Sequence, residues 1–410
     1  MPTARSVRRG LVLFLMLTLV GVGRPLWADD AATTAHTAVA EVIEKMQAAV
    51  RAGQPDDYLA HVSQADPFFR QEQVCWAADL KKVVPASFEF QWANSKLSED
   101  GKRLTGDLTW VWKLPEAKNE RKLSFPASFV RDEEGWKFAG EVWLRVDSEG
   151  CQVYFPEERY RKEAEGIAEV FPEIRRQVFA DFEEKEPALM QVKLYGRMLH
   201  LQASIFLSYV DGLGGWNEPG EAIKLLSMRQ AGMARAMRGT LAHELGHAAT
   251  WQMGPKAKDM PWWVQEGVAE QMSEFYSAKR RGSVAMVRNL ASSNQLAPWE
   301  KMHDFTPETM RLGLQVYNQG HHMCAWLTDR YGRKKRNEWL RAMGTGLTLE
   351  DASREVFGTP FSELAAEWAK LVKENPDFIL PKEAPADKPA DKPADPPADK
   401  PTTPPGGTPR

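Results

Sequence analysis

Residues 243–247 read His-Glu-Leu-Gly-His. In a helix, side chains four residues apart stand one turn above the other on one face, so both imidazoles can reach a single metal ion. Glu244 lies between them and projects toward a metal-activated water, the arrangement in which zinc is the expected ion. Met237, Leu241 and Leu245 form an apolar stripe about 200° around the helix from the two histidines, which predicts one face in a core and the other on a cleft. Gly246 costs such a helix about 1 kcal/mol of propensity, and its presence predicts that another backbone comes close there.

A catalytic zinc held by two histidines takes one more protein ligand and keeps its fourth position for water. Beyond Gly254-Pro255, residues 261–270 read Pro-Trp-Trp-Val-Gln-Glu-Gly-Val-Ala-Glu, a helix opened by a first-turn proline. Val264, Val268 and Met272 make its apolar stripe, while Glu266 and Glu270 share the face about 200° away. A carboxylate on this second helix supplies the missing ligand.

The two motifs, His-Glu-x-x-His and then Trp-x-x-Glu-Gly with an acid four residues on, resemble the gluzincin metallopeptidases, the thermolysin-like group often called peptidase MA-like. The likeness covers about residues 155–375. It implies that His243, His247 and Glu266 ligate one catalytic zinc, that Glu244 is the general base, and that Glu270 accepts from a ligand histidine and orients it. Glu270 stands where thermolysin has aspartate. Metzincins are excluded, because the next histidine after His247 is His303. The implied substrate is a peptide or protein, cleaved as Glu244 takes a proton from water and passes it to the leaving amine.

The oxyanion of that reaction needs a further donor. On a helix expected over Gln315–Tyr331, Tyr317, His321 and Cys324 share one face. The resemblance favours Tyr317, with His321 the competing donor; roles in packing remain the alternative for Tyr317, His321 and His322. Residues 214–217, Gly-Gly-Trp-Asn, fall where such enzymes place the edge strand that pairs with substrate backbone, and an ordinary loop is the other reading.

The elements that must position these residues change period along the chain. Helical spacing runs from Thr37 to about Leu80, with breaks near Gly53-Gln54-Pro55 and Ala65-Asp66-Pro67. Period-two segments follow at 88–92, 108–112, 122–125 and 136–143. This order resembles the cone-shaped SnoaL-like and nuclear-transport-factor-like fold over residues 36–150, read here as a non-catalytic accessory domain. A second domain, 155–378, starts with a charged helix from Pro156 to Phe182, whole or broken near Pro172. Strands at Ala188–Tyr195 and Glu221–Leu226 follow, with Leu199–Tyr209 open between helix and strand. A long helix covers about Gln230–Gln252, and the chain stays mainly helical to about Lys373. The fold class expected is α+β: N-terminal helices with an antiparallel, cone-like sheet, then a mainly helical zincin domain with a small sheet.

The chain has 410 residues, 43% of them hydrophobic, with 15 Trp and 18 Phe, enough for two buried cores. Its 53 Lys and Arg against 56 Asp and Glu leave a net charge of −3, too small to gather nucleic acid or anionic membrane. Residues 1–28 combine a charged start, an apolar run of about 12 residues and Ala28 at a cleavage position, the pattern of a secretory signal. Export to a periplasmic, cell-envelope or extracellular site is expected, with no membrane span after its removal. Residues 381–410 repeat Pro-Ala-Asp-Lys and read as a disordered tail. Cys75 and Cys151 are candidates for pairing after export, or free thiols. A different class, a binding or scaffold protein whose peptidase-like domain is inert or latent, remains as the alternative.

Overall fold

The computed structural model describes residues 26–228 and 234–379. The expected signal, apart from residues 26–28, and the expected tail lie outside the described residues. The chain divides into two compact units: the first runs to Gln177 and again from Lys185 to Glu244, and the second takes Val178–Glu184 and continues from Leu245.

The first unit opens with helices α1 (Leu26–Arg51), α2 (Pro55–Leu59) and α3 (Pro67–Ala78). The Asp66 carboxylate caps α3 by accepting from the backbone N–H of Phe68 and Phe69, and Pro67 fills the first turn, where its missing N–H costs nothing. Strands β1 (Ser87–Leu97), β2 (Arg103–Lys113), β3 (Arg121–Asp132) and β4 (Gly135–Glu141) form an antiparallel meander in sequence order. Alternation turns Leu104, Leu108, Trp110 and Trp112 of β2 inward, against Val39, Met46 and Val50 of α1 and Trp76 of α3 in one apolar core. Trp92 and Trp143 are only half-buried. Trp92 pairs with Leu108 just before β1 loses its register between Ala93 and Lys96, and Trp143 falls beyond the end of β4.

A second sheet in the same unit has the order β5-β6-β7-β9-β8. Its members are β5 (Leu144–Ser148), β6 (Cys151–Phe155), β7 (Met190–Tyr195), β8 (Gly215–Trp216) and β9 (Ile223–Leu226). β6, β7 and β9 run parallel to one another, and β5 and β8 are antiparallel edges. Residues 150–155, where the sequence suggests a junction, lie in the β5–β6 hairpin, and β6 also pairs with β7.

Helix α4 (Arg161–Phe182) runs unbroken through Pro172. Ala164, Ile167, Phe171 and Ile174 are all buried, so one continuous apolar face outweighs the hydrogen bond lost at the proline. The segment left open between helix and strand is helix α5 (Met198–Ile205), bound to the first sheet's core where Trp76 and Trp112 donate to the carbonyls of Ala203 and Leu207.

Helix α6 (Ala234–Thr250) carries the chain from the first unit into the second. There follow α7 (Trp262–Ser273), α8 (Lys279–Ser292), α9 (Pro307–Met310), α10 (Leu314–Tyr331), α11 (Arg333–Gly344), α12 (Leu349–Phe357) and α13 (Phe361–Glu374). The second unit contains helices and no strand among the described residues. The whole is α+β, as the change of period implies. All three cysteines are free thiols. Burial pushes the Cys75 and Cys151 thiols up to about 12, with Glu221 adding to the effect at Cys75. Among the described residues, no helix is long and apolar enough to cross a membrane.

Candidate functional site

The apolar stripes read from the sequence seat α6 and α7. Leu241 and Leu245 are fully buried, as are Val264 and Val268, and Met237 and Met272 are nearly so. A Cβ placed on Gly246 would lie 3.0 Å from the Ala269 Cα, so the helix-weakening glycine lets α6 and α7 approach backbone to backbone. Gly267 does the same on the other side of α7, where an added Cβ would come within 2.7 Å of the Gly320 backbone on α10. Helix α7 is thus packed backbone to backbone against α6 on one side and α10 on the other.

On this frame one ligand atom each from His243, His247 and Glu266 fall within 4.8 Å of one another. The His247 Nε2 to Glu266 Oε2 distance is 3.6 Å. Two donors bound to zinc at tetrahedral angles are about 3.4 Å apart, from bond lengths of about 2.0–2.2 Å. The other oxygen, Glu266 Oε1, accepts from Trp262 Nε1 at 2.8 Å, which holds the carboxylate with Oε2 toward His247. The His247 ring is stacked on Trp251, 5.8 Å between centroids and 16° between planes. Two imidazoles and one carboxylate, with His247 and Glu266 each only 8% exposed, form a donor set that fits a divalent zinc better than a hard oxygen-seeking cation.

Glu244 is buried and its main-chain carbonyl accepts from Asn217 Nδ2 at 3.1 Å. A side chain on Gly215 would overlap the Glu244 carboxylate, so that carboxylate lies directly against edge strand β8. The Gly-Gly-Trp-Asn segment is therefore both: Gly215 and Trp216 pair antiparallel with Leu225 and Lys224 of β9, and the residues around them are loop. Glu270 is buried, with Oε1 accepting from Lys279 Nζ at 2.7 Å.

Tyr317 lies in the first turn of α10, half-buried, its ring edge-on to Trp262 with centroids 6.0 Å apart. His321 is placed differently: it is fully buried, with Nδ1 2.7 Å from Ser283 Oγ and Nε2 2.6 Å from Glu274 Oε1. His322, also fully buried, accepts from Trp368 Nε1 at 3.1 Å. Both rings are held inside the helical unit. Cys324 faces the same α7–α10 seam as Gly267.

Sequence reasoning missed Trp262, Trp251, Asn217 and Lys279. Trp262 carried a signal, since it precedes Glu266 by four residues and so shares its helix face. Trp251 stands in the same relation to His247. Asn217 and Lys279 reach Glu244 and Glu270 from other elements, and no spacing in the sequence shows that.

Residues 180–374 match the model of the Peptidase MA superfamily, so the segment that carries these helices is metallopeptidase-like. Two solved enzymes are similar over 72% of this chain: an M1 zinc metallopeptidase from Deinococcus radiodurans, 14% identical with a TM-score of 0.32, and yeast LTA4 hydrolase, 11% identical with a TM-score of 0.35. The chain spans 63% and 59% of their respective lengths. An NTF-2 like protein of unknown function from Shewanella oneidensis is similar to 25% of this chain, over 93% of its own length, at 13% identity and a TM-score of 0.22. No curated protein sequence matches the chain.

Proposed function

We propose that this protein is an exported zinc-dependent peptidase that hydrolyses peptide bonds with an activated water and Glu244 as general base. The observation that carries the reading is the convergence of one ligand atom each from His243, His247 and Glu266, from two successive helices, with Glu244 following His243 in the chain. Export rests on the character of residues 1–28 alone.

His243, His247 and Glu266 are the residues that hold zinc, and Glu270 steadies the histidine side of the set. Zinc, when bound, supplies an acidified water and polarises the carbonyl to be cleaved. The chain's own residues do the rest. Glu244, pressed against β8 and shielded from bulk water, takes the proton of the attacking water and returns it to the departing amine. β8 ends its sheet, so its outer edge can pair with an extended substrate backbone directly over that carboxylate. Tyr317 donates its phenol hydrogen to the oxyanion.

Elemental analysis for zinc combined with hydrolysis of a mixed peptide library tests this. Glu244→Gln should keep one zinc per chain and lose about 10²-fold or more in turnover, because an amide has the carboxylate's shape but cannot accept the proton. A variant within a few-fold of the unaltered protein, or an unaltered protein with neither zinc nor cleavage, would overturn the reading.

A further inference from the structure

Residues 262 and 263 are both tryptophan, and the two rings are used in different ways. Trp263 is the tryptophan of the Trp-x-x-Glu-Gly motif. It is wholly buried, with its ring against Trp299 and Phe361 at 4.6 and 5.2 Å between centroids. Trp262 lies outside that motif. It stands four residues before Glu266 on α7, so its indole lies over the same helix face, and its Nε1–H donates to Glu266 Oε1 at 2.8 Å.

Trp262 is also the first residue of α7, where a backbone N–H has no partner within the helix; this one donates to the His303 carbonyl at 2.6 Å. The ring stands edge-on to Phe305, 4.9 Å between centroids at 81°, and to Tyr317, 6.0 Å at 80°. Main chain and ring are therefore fixed separately, and the residue is 9% exposed. An indole N–H only donates, so it can neither ligate a metal nor exchange roles with the carboxylate. It occupies one oxygen of Glu266 and leaves Oε2, the atom 3.6 Å from His247 Nε2, as the oxygen on the histidine side.

We infer that Trp262 is a positioning residue that limits Glu266 to one-point ligation, keeping a place at the zinc for water and for the substrate carbonyl. The inference rests on the peptidase reading above. Two histidines, one carboxylate oxygen and a water make a set of four, and a fifth place opens only as the reaction proceeds. If both oxygens of Glu266 ligated, that fifth place would be filled before the carbonyl arrived. A hydrogen bond to an ionised acceptor is about twice as strong as one between neutral groups, so a buried indole is a sufficient restraint. The same ring seats Tyr317, so the ligand carboxylate and the phenol are both placed from one fixed indole.

Two replacements remove the N–H and keep a ring: Trp262→Phe, and benzothienylalanine at the same position, in which sulfur stands for the N–H at nearly the same shape. The full chain is loaded with cobalt(II), because four-coordinate cobalt(II) absorbs visible light more strongly than five-coordinate, and zinc affinity and peptide hydrolysis are measured beside the spectrum. The unaltered protein should show the strong band. Both replacements should weaken it, keep zinc affinity within about tenfold because the freed oxygen offsets the lost restraint, and lower kcat about tenfold or more. Circular dichroism reports folding, and the isosteric analogue decides should Trp262→Phe unfold. A band unchanged in the folded replacements overturns the inference alone, as does a weakened band with undiminished kcat. Loss of metal altogether also overturns it, since the indole would then support affinity only. An unaltered protein that binds neither cobalt nor zinc overturns the peptidase reading, and this inference falls with it.

Discussion

The chain carries two pairs of histidines on helices, the half-buried His243 with His247 on α6 and the fully buried His321 with His322 on α10, and they have opposite fates. The first pair is separated by one turn, so both rings look the same way, and a carboxylate from α7 meets them there. The second pair is adjacent in sequence, so the rings point about 100° apart. Each then finds its own partner, Ser283 and Glu274 for His321, Trp368 for His322. Residue type is alike in the two regions, and the second pair is the more deeply buried. What differs is whether the rings converge, and convergence separates a site that can hold a metal from histidines that cement a core.

The contrast is most sharply broken at Glu266. Glu266→Ala should abolish zinc binding and activity together, whereas Glu270→Ala should weaken zinc affinity by about 10 to 100-fold, as expected for a residue that orients a ligand. Zinc titration of both variants gives the order; a larger effect at Glu270 would assign the third ligand to the wrong carboxylate.

His321→Ala is the counterpart in the second pair. It empties a fully buried site and strips Glu274 of its imidazole partner, which should cost about 2–4 kcal/mol of stability. Zinc content of the folded fraction should be unchanged. A denaturant melt alongside elemental analysis separates the two effects, and loss of zinc without loss of stability would place His321 at the metal site after all.

Tyr317→Phe should behave in the inverse way, with turnover lowered by about 10- to 100-fold and stability within about 0.5 kcal/mol, because only a donor to the oxyanion is removed. Steady-state kinetics with a thermal melt checks this. A stability loss with unchanged turnover would make Tyr317 a packing residue beside Trp262.

The smallest effect is on pH dependence. Burial alone would raise the Glu274 carboxyl, but the hydrogen bond and charge of His321, joined by Arg280, hold it below its ordinary 4.5. A depressed folded-state value means that this contribution is complete above the ordinary value and disappears as pH falls through the lowered one. Melts between about pH 6 and pH 3 should show an acid loss of stability that is shallower in His321→Ala, which has already forfeited the His321 part. Identical acid slopes would remove Glu274 from the account.

Much of the site was legible in the sequence because it is written within single helices. The spacing of His243 and His247, the opposed stripe at Leu241 and Leu245, and the shared face of Glu266 and Glu270 all follow from about 100° per residue. Gly246 announced a close approach, and the approach is to Ala269. The cone-like meander was legible for a similar reason, since alternation along β2 and β4 is a property of one strand at a time. The continuity of α4 through Pro172 was not, because local propensity at the proline argues for a break and only the buried face argues against it.

What tertiary structure alone decided is every relation between elements distant in sequence. That Trp262 turns the Glu266 carboxylate is local, but that Gly215 lies against Glu244, that His321 meets Ser283 and Glu274, and that Lys193 on β7 reaches Glu72 on α3 are not. The sequence determined which side chains share a face, because helical and strand periods act over a few residues. Which faces meet is set by how the buried areas of whole elements fit together, a sum over the entire core that no short stretch of residues encodes.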